Sequence, residues 1–448
     1  MLKVSFFGAA QEVTGSCFLL DDGENKILID CGLFQSPRFS NLKNNEPFLF
    51  NSKEIDALFI SHAHIDHTGR IPKLMKEGFQ GKIYSSIPTR ALAELMLRDS
   101  IGVLTKEAER EGEKVLYSDE EVDKAMQVWE GKEYHEKIKV GNFEVSFYNA
   151  GHVMGSAMIE IAHESQKFLF TGDLGNVNNP LLNGFEKING IDYLFIESTY
   201  GDRTHEDLEE KKLKLERVIE RSVVNGGVLM IPAFSLERTQ ELLWEISDML
   251  RNKQIPNVPL FLDSPLAIKA TEIYQKYYKY LNKAYVDQKS FSFLNLPNVH
   301  PTLTTEESKK INDVPAPKII IAGSGMSTGG RILHHERRYL QDPKSTLLFI
   351  GYQAPGSLGR IIQDGASSAT IFGEEVLIRA HIENIHGYSA HPDENTLFEF
   401  IREKSDTLKK VFTIHGEPKS SLALVQKVRD YLGIEAYSPK YSESVTID

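Results

Sequence analysis

The chain is 448 residues long, 41% hydrophobic and 25% charged, with a formal net charge of −12. That length can bury a sizeable core and suggests two to three domain-sized units, with the composition of a soluble globular protein. The acidic balance argues against broad adhesion to nucleic acid or anionic membrane, although bound dications and local Arg or Lys can invert the field inside one cleft. No apolar run approaches the ~20 residues that span a bilayer. Cys17 and Cys31 are the only cysteines, which excludes a disulfide framework and fits a reducing cytoplasm. The N-terminus enters a strand-like stretch at once, without the pattern of a signal peptide.

Strand-like runs come first, at residues 4–7, 16–20 and 26–30, with Asp21-Asp22-Gly23 as a turn. Asp30 stands at the tip of the third, beside a flexible Gly32. The apolar run 57–60 reads as a buried strand and leads into His62-Ala63-His64-Ile65-Asp66-His67. Residues two apart at a strand end project to one side, so His62 and His64 can share an ion. Asp66 and His67 fall after the turn, toward a second position. The mixed nitrogen and oxygen set suits zinc better than calcium or magnesium. Residues 70–79 read as an amphipathic helix with Ile71, Leu74 and Met75 on one face, and 90–110 and 120–131 as charged outer helices. Strand patterns resume at 143–148, 157–162, 167–170 and 193–196.

The pattern changes after Tyr200-Gly201-Asp202. A charged helix over 206–221 precedes short buried strands at 228–232, 259–262, 318–322 and 346–350. Between the first two lies a helix, 236–250, with Leu242, Leu243, Ile246, Met249 and Leu250 facing inward. Such alternation argues for a doubly wound parallel sheet, inserted between about residues 203 and 385. The Gly/Ser-rich loops 324–331 and 356–360 read two ways: as backbone N–H groups with Arg331 and Arg360 for phosphates, or as tight turns that start helices. His334, His335, His381 and His386 read as structural. The final helix, 420–432, is expected to pack Leu422, Leu424, Val425 and Val428, and the chain is expected to carry no further module.

His152, Asp173, Glu197 and His415 each follow an apolar strand, often beside Gly. One histidine in that setting is more often a hydrogen-bonded structural residue. Several of them, together with the 62–67 motif, are how a sheet presents metal ligands at its rim.

In their order and setting, the 62–67 motif, Asp30, His152 and Asp173 resemble the signature of the metallo-β-lactamase fold. Glu197, His391 and His415 resemble the further motifs of its β-CASP branch, nucleases that process nucleic acids. Residues 324–331 and 351–360 look like the inserted domain of that branch, and the resemblance covers essentially the whole chain. It implies an α/β protein: a four-layered αββα sandwich over 1–202 and 386–448, interrupted by a doubly wound parallel β-CASP domain over 203–385, with the active site in the cleft between them. It implies two zinc ions, one held by His62, His64 and His152, the other by Asp66, His67 and His415, with Asp173 bridging. Asp30 would orient the imidazoles.

The implied activity is a ribonuclease acting on single-stranded RNA, endonucleolytic and/or 5′→3′ exonucleolytic. A water activated between the cations attacks, Asp66 belongs to the catalytic set, and His391, poised by Glu197, is the general acid. His415 favours RNA, because the DNA-repair branch lacks a histidine there. Manganese in place of zinc, and a homodimer, are left open. Two alternatives compete. A small-molecule hydrolase on the same core has no use for an inserted domain and His391, and a non-catalytic RNA-processing scaffold usually loses ligands that this chain keeps.

Overall fold

The computed structural model describes residues 1–35, 40–176, 179–204, 208–284 and 298–447. The chain divides into two compact units, one of Met1–Val177, Leu182–Thr204 and Ala390–Asp448, the other of Asn178–Leu181 and His205–Ser389.

The first unit is built on two seven-stranded sheets. One runs Ser444–Ile447, Leu2–Phe6, Phe18–Asp21, Lys26–Ile29, Ala57–Phe59, Lys82–Ser86, Trp129–Lys132. The other runs Glu435–Tyr437, Lys410–Ile414, Tyr193–Glu197, Gln166–Phe170, Ala157–His163, Phe143–Asn149, Ile138–Val140. Their facing sides share one core, with Val4, Phe6 and Phe59 against Phe147, Phe170, Phe195 and Phe412. Alternate residues of the second sheet, Leu169, Leu194, Ile196 and Val411, point the other way. There they meet Leu397, Phe400, Leu424 and Val428 of helices Glu394–Arg402 and Pro418–Leu432. Helices Ile87–Glu111 and Asp119–Val128 pack on the outer side of the first sheet. The result is the expected αββα layering. Strands apolar on both faces explain why the sequence shows continuous hydrophobic runs rather than alternation.

Some expectations need correction. The helix predicted over 120–131 ends at Val128, and Trp129–Lys132 becomes an edge strand. Trp129 and the β-sheet ladder to Lys82–Ser86 override the helical continuation. Leu422 is 53% exposed, so the final helix packs Leu424, Val425 and Val428 without it. Of the helix expected over 206–221, residues 206 and 207 lie outside the described residues, and Leu208–Asn225 is helical.

The second unit holds a six-stranded sheet, all parallel: Val299–Pro301, Leu260–Asp263, Lys318–Ala322, Val228–Pro232, Thr346–Phe349, His381–Asn384. Its first strand in sequence, Val228–Pro232, lies inside, and later strands add on either side, which is the doubly wound arrangement. Met230, Ile320, Leu347 and Phe349 form its core.

At the centre of the sandwich the ring of Phe195 lies between those of Phe170 and Phe412, with centroids 4.1 and 4.6 Å away and planes within 3° and 6° of parallel. Phe195→Ala is expected to lower the unfolding free energy by about 3–5 kcal/mol, because the sandwich interior cannot collapse onto the void. Urea unfolding followed by circular dichroism measures this, and a loss below about 1 kcal/mol contradicts the packing described.

Candidate metal centre

Strand direction brings the ligand-type residues to one place. In the first sheet Lys26–Ile29 and Ala57–Phe59 are parallel neighbours, so Asp30 and the Ser61-His62 loop leave the same edge. In the second, Gln166–Phe170, Tyr193–Glu197 and Lys410–Ile414 are parallel neighbours, ending in Asp173, Glu197 and His415. Phe143–Asn149 runs the same way across the antiparallel Ala157–His163, which adds His152.

His62 and His64 are not on the strand, as the two-residue period suggested. The strand stops at Phe59, and His64 caps a short helix, Ile65–Thr68, that carries Asp66 and His67. This loop-helix is stitched to its neighbours by backbone bonds: Ser16 N–H to Asp66 O at 2.9 Å, Cys31 N–H to His67 O at 2.8 Å, Leu33 N–H to Ile65 O at 2.9 Å. A Cβ on Gly32 would lie 1.5 Å from the Asp66 carbonyl oxygen, so only glycine lets the two segments meet.

Two groups of ligand atoms result. In the first, His64 Nδ1 is 3.0 Å from His62 Nε2 and 3.3 Å from His152 Nε2. Asp173 Oδ2 lies 3.5 Å from His62 Nε2 and 3.6 Å from His152 Nε2. In the second, Asp66 Oδ2 is 4.0 Å from His67 Nε2 and 3.9 Å from His415 Nε2. Asp173 Oδ1 faces this group, 3.3 Å from His67 Nε2 and 3.6 Å from His415 Nε2. A tetrahedron with metal–nitrogen bonds of ~2.0–2.1 Å has edges of about 3.3 Å, close to the spacings of the first group. Asp173 Oδ1 is buried and accepts no hydrogen bond, an orphan that a cation would satisfy. The residues present therefore fit divalent cations.

The ring nitrogens turned away from these groups are engaged as well. Asp30, buried at 1% exposure, accepts Ser61 N–H at 2.8 Å and Ser61 Oγ–H at 2.7 Å. Its Oδ2 is also 2.7 Å from His67 Nδ1. Ser61 Oγ lies 3.1 Å from His62 Nδ1, Ser16 Oγ 3.1 Å from His415 Nδ1, and the Leu174 carbonyl 3.2 Å from His152 Nδ1. Partners of this kind fix tautomer and ring orientation. Asp30 thus stands behind the imidazoles, outside both ligand groups. Asp30 and His415 both have left-handed φ angles, +56° and +46°. Such strain persists where neighbours over-determine it, here through Asp30 N–H to Phe59 O and His415 N–H to Ala9 O. The sequence offered no sign of Ser16. Ser61 was signalled only by standing next to the motif.

Electrostatics follows from the burial. Burial pushes His62 well below its usual range, leaving a neutral imidazole whose lone pair is free for a cation. Burial would raise Asp173, but the imidazoles of His415, His67 and His62 outweigh it and hold the carboxyl well below its usual range. His67 goes the other way: burial opposes its charge, yet Asp173 and Asp30 raise it well above normal. Burial lifts Asp66 to about 6.

Beside these groups stands a third, Asp173, Glu197 and His391. His391 Nδ1 is 3.1 and 3.0 Å from the two carboxylate oxygens of Glu197, which is fully buried and also accepts the Leu174 N–H at 2.7 Å. Burial lowers His391, but Glu197 above all, then Asp173 and Asp66, lift it to about 9.

In the second unit the turn reading of the Gly/Ser-rich loops prevails. The guanidinium of Arg331 is spent on Asp263 at 2.7 Å and on the carbonyls of Thr302 and Leu303. Arg360 pairs with Asp364, and Ser357 caps the helix Leu358–Gln363. His335 is buried against Asp263 at 2.7 Å. His381 is exposed, and the side chain of His386 lies outside the described residues. Among the described residues no helix is long and apolar enough to cross a membrane.

The comparisons agree with this geometry. Residues 10–219 match the metallo-beta-lactamase superfamily, 239–362 the Beta-Casp domain, and 375–439 a Zn-dependent metallo-hydrolase RNA specificity domain. Over its full length the chain is 34% identical to a protein of Thermus thermophilus named ribonuclease TTHA0252, covering 100% of each. An RNase J-like protein of Methanocaldococcus jannaschii is 34% identical with 98% of each covered. A transcription termination factor FttA of Methanosarcina mazei is 32% identical, over 100% of this chain and 72% of that one. A solved structure of a protein of unknown function from Enterococcus faecalis shares the fold, with a TM-score of 0.57 at 13% identity over 100% of both chains. The chain belongs to the β-CASP branch of the metallo-β-lactamase superfamily and is a metal-dependent nuclease.

With His67 as a ligand, a cation would need its imidazole deprotonated, whereas Asp173 and Asp30 favour the protonated form, so binding would expel a proton and weaken as pH falls. Calorimetric titration with zinc near pH 7, in buffers of different ionisation enthalpy, should show release of on the order of one proton per chain. Heats that do not vary with the buffer contradict this.

Proposed function

We propose that the chain is a zinc-dependent ribonuclease that hydrolyses phosphodiester bonds of single-stranded RNA in the cytoplasm, leaving 5′-phosphate and 3′-hydroxyl ends. His62, His64 and His152 would hold one cation, Asp66, His67 and His415 the other, and Asp173 would be shared. The observation that carries the reading is the Asp173 carboxylate, whose Oδ2 faces His62 and His152 while Oδ1 faces His67 and His415. Bound divalent cations supply a water of lowered pKa and neutralise charge on the phosphoryl oxygens.

The protein's own residues do the rest. Asp30 positions His67 directly and His62 through Ser61, and Ser16 positions His415. The leaving 3′-oxygen needs a proton, and His391 is the donor: an imidazolium paired with Glu197 and partly exposed, at 20%. Of the carboxylates that raise His391, Asp173 and Asp66 would be neutralised by bound cations, which brings the imidazole nearer neutrality. The name ribonuclease on a relative of equal length supports RNA as substrate, and the termination factors make transcripts one RNA to test.

Purified protein is expected to contain close to two zinc ions by elemental analysis, on the dinuclear reading. Asp66→Ala should lose metal together with cleavage of an end-labelled RNA, and His391→Ala should lose cleavage with metal retained. Undiminished RNA cleavage by His391→Ala sinks the acid assignment. Labelling at the 5′ end also separates internal from terminal cutting.

Glu197→Gln removes the largest influence raising His391. A general acid acts while protonated, so the rate falls as pH rises through its pKa, and a lower pKa moves that alkaline limb toward acid. A pH–kcat profile of the variant with an unmoved or alkaline-shifted limb contradicts the pairing.

A further inference from the structure

The second unit contains a buried ionic cluster that the reaction described so far does not use. Lys211, on helix Leu208–Asn225, is 2% exposed and places Nζ 2.7 Å from Glu241 and 3.0 Å from Glu245. Both glutamates lie on helix Arg238–Arg251 and are likewise buried. Arg238 pairs with the other oxygen of Glu241. The fully buried Tyr388 donates its hydroxyl to Glu245 Oε2, while Lys211 Nζ sits 4.0 Å above the Tyr388 ring. A Cβ on Gly387 would come within 3.1 Å of the Lys211 side chain, so the backbone before Tyr388 rests on that lysine. Burial, then Glu245, holds the Tyr388 hydroxyl well above its usual pKa, a permanent donor.

Lys211 and Tyr388 stand near the two ends of this unit in sequence, which runs to Ser389. Three residues after Tyr388 comes His391, whose imidazole must meet Glu197 within about 3 Å. Ala390 between them is pinned by Asn176 N–H to its carbonyl at 2.7 Å. A hydrophobic pair could fill the same volume at less cost, since burying charges forfeits several kcal/mol of hydration each. What a hydrogen-bonded ionic cluster adds is direction: one register in which the Tyr388 hydroxyl is satisfied.

We propose that Tyr388, locked by Glu245 and Lys211, is a positioning residue that sets the placement of the His391 general acid. This rests on the reading of His391 given above. Tyr388→Phe deletes one hydroxyl and keeps the ring. It should lower kcat for RNA between about 10- and 100-fold, the range a displacement of order 1 Å costs, with KM within about twofold. Glu245→Gln, which keeps shape and an acceptor for the hydroxyl, should lose less.

The discriminating substrate is bis(p-nitrophenyl) phosphate, whose leaving group departs without a proton. Tyr388→Phe and His391→Ala should each lose far less on it than on RNA, and on RNA the double variant should be no worse than His391→Ala. Equal losses on RNA and on the activated diester mark a merely structural tyrosine and overturn the proposal. So does an unimpaired Tyr388→Phe beside a defective His391→Ala, which leaves the acid assignment standing. If His391→Ala itself cleaves RNA normally, the acid assignment falls and the anchor with it.

Discussion

The centre depends on one ionised carboxylate, Asp173, kept at the shared corner of two nitrogen groups inside a nearly dry edge of the sandwich. A bare carboxylate there would cost several kcal/mol in lost hydration and would take up a proton. The encircling imidazoles reverse that and hold it charged. With Oδ1 left without a hydrogen bond, the arrangement is organised for cations rather than for stability on its own.

Placing that carboxylate is the work of the two sheets. Parallel neighbours in each sheet end together, so residues separated by hundreds of positions arrive at one edge within ångströms. The chemistry then sits on short loops, whose freedom is removed by Asp30, Ser61, Ser16 and the Leu174 carbonyl. Rigid strands below and hydrogen-bonded loops above are what a hydrolytic centre needs, because misplacement by an ångström is expensive in rate.

An acidic protein acting on a polyanion poses no contradiction. The net charge of −12 describes the whole surface and discourages indiscriminate adhesion. Inside the centre, bound divalent cations would be the largest local charges and would set the sign of the field.

The ligand-type residues were legible because their chemistry is local: 62–67 packs four of them into six positions, and Asp30, His152, Asp173 and His415 each follow an apolar strand. The parallel sheet of the second unit was legible because its short apolar strands alternate with helices, whereas the αββα layering of the first followed from the resemblance alone. Other features were not. The edge strand Trp129–Lys132 read as the end of a helix, because pairing with Lys82–Ser86 is a partner's contribution. Ser16 carries no signal of its own; that serine becomes a positioning group only when the distant imidazole of His415 is brought to it. Arg331 looked free for phosphate until the fold set Asp263 beside it. The sequence alone determined which chemistry the chain can offer. Tertiary structure decided which groups hold one another, because hydrogen bonds between residues hundreds of positions apart exist only once the strands have set their ends side by side.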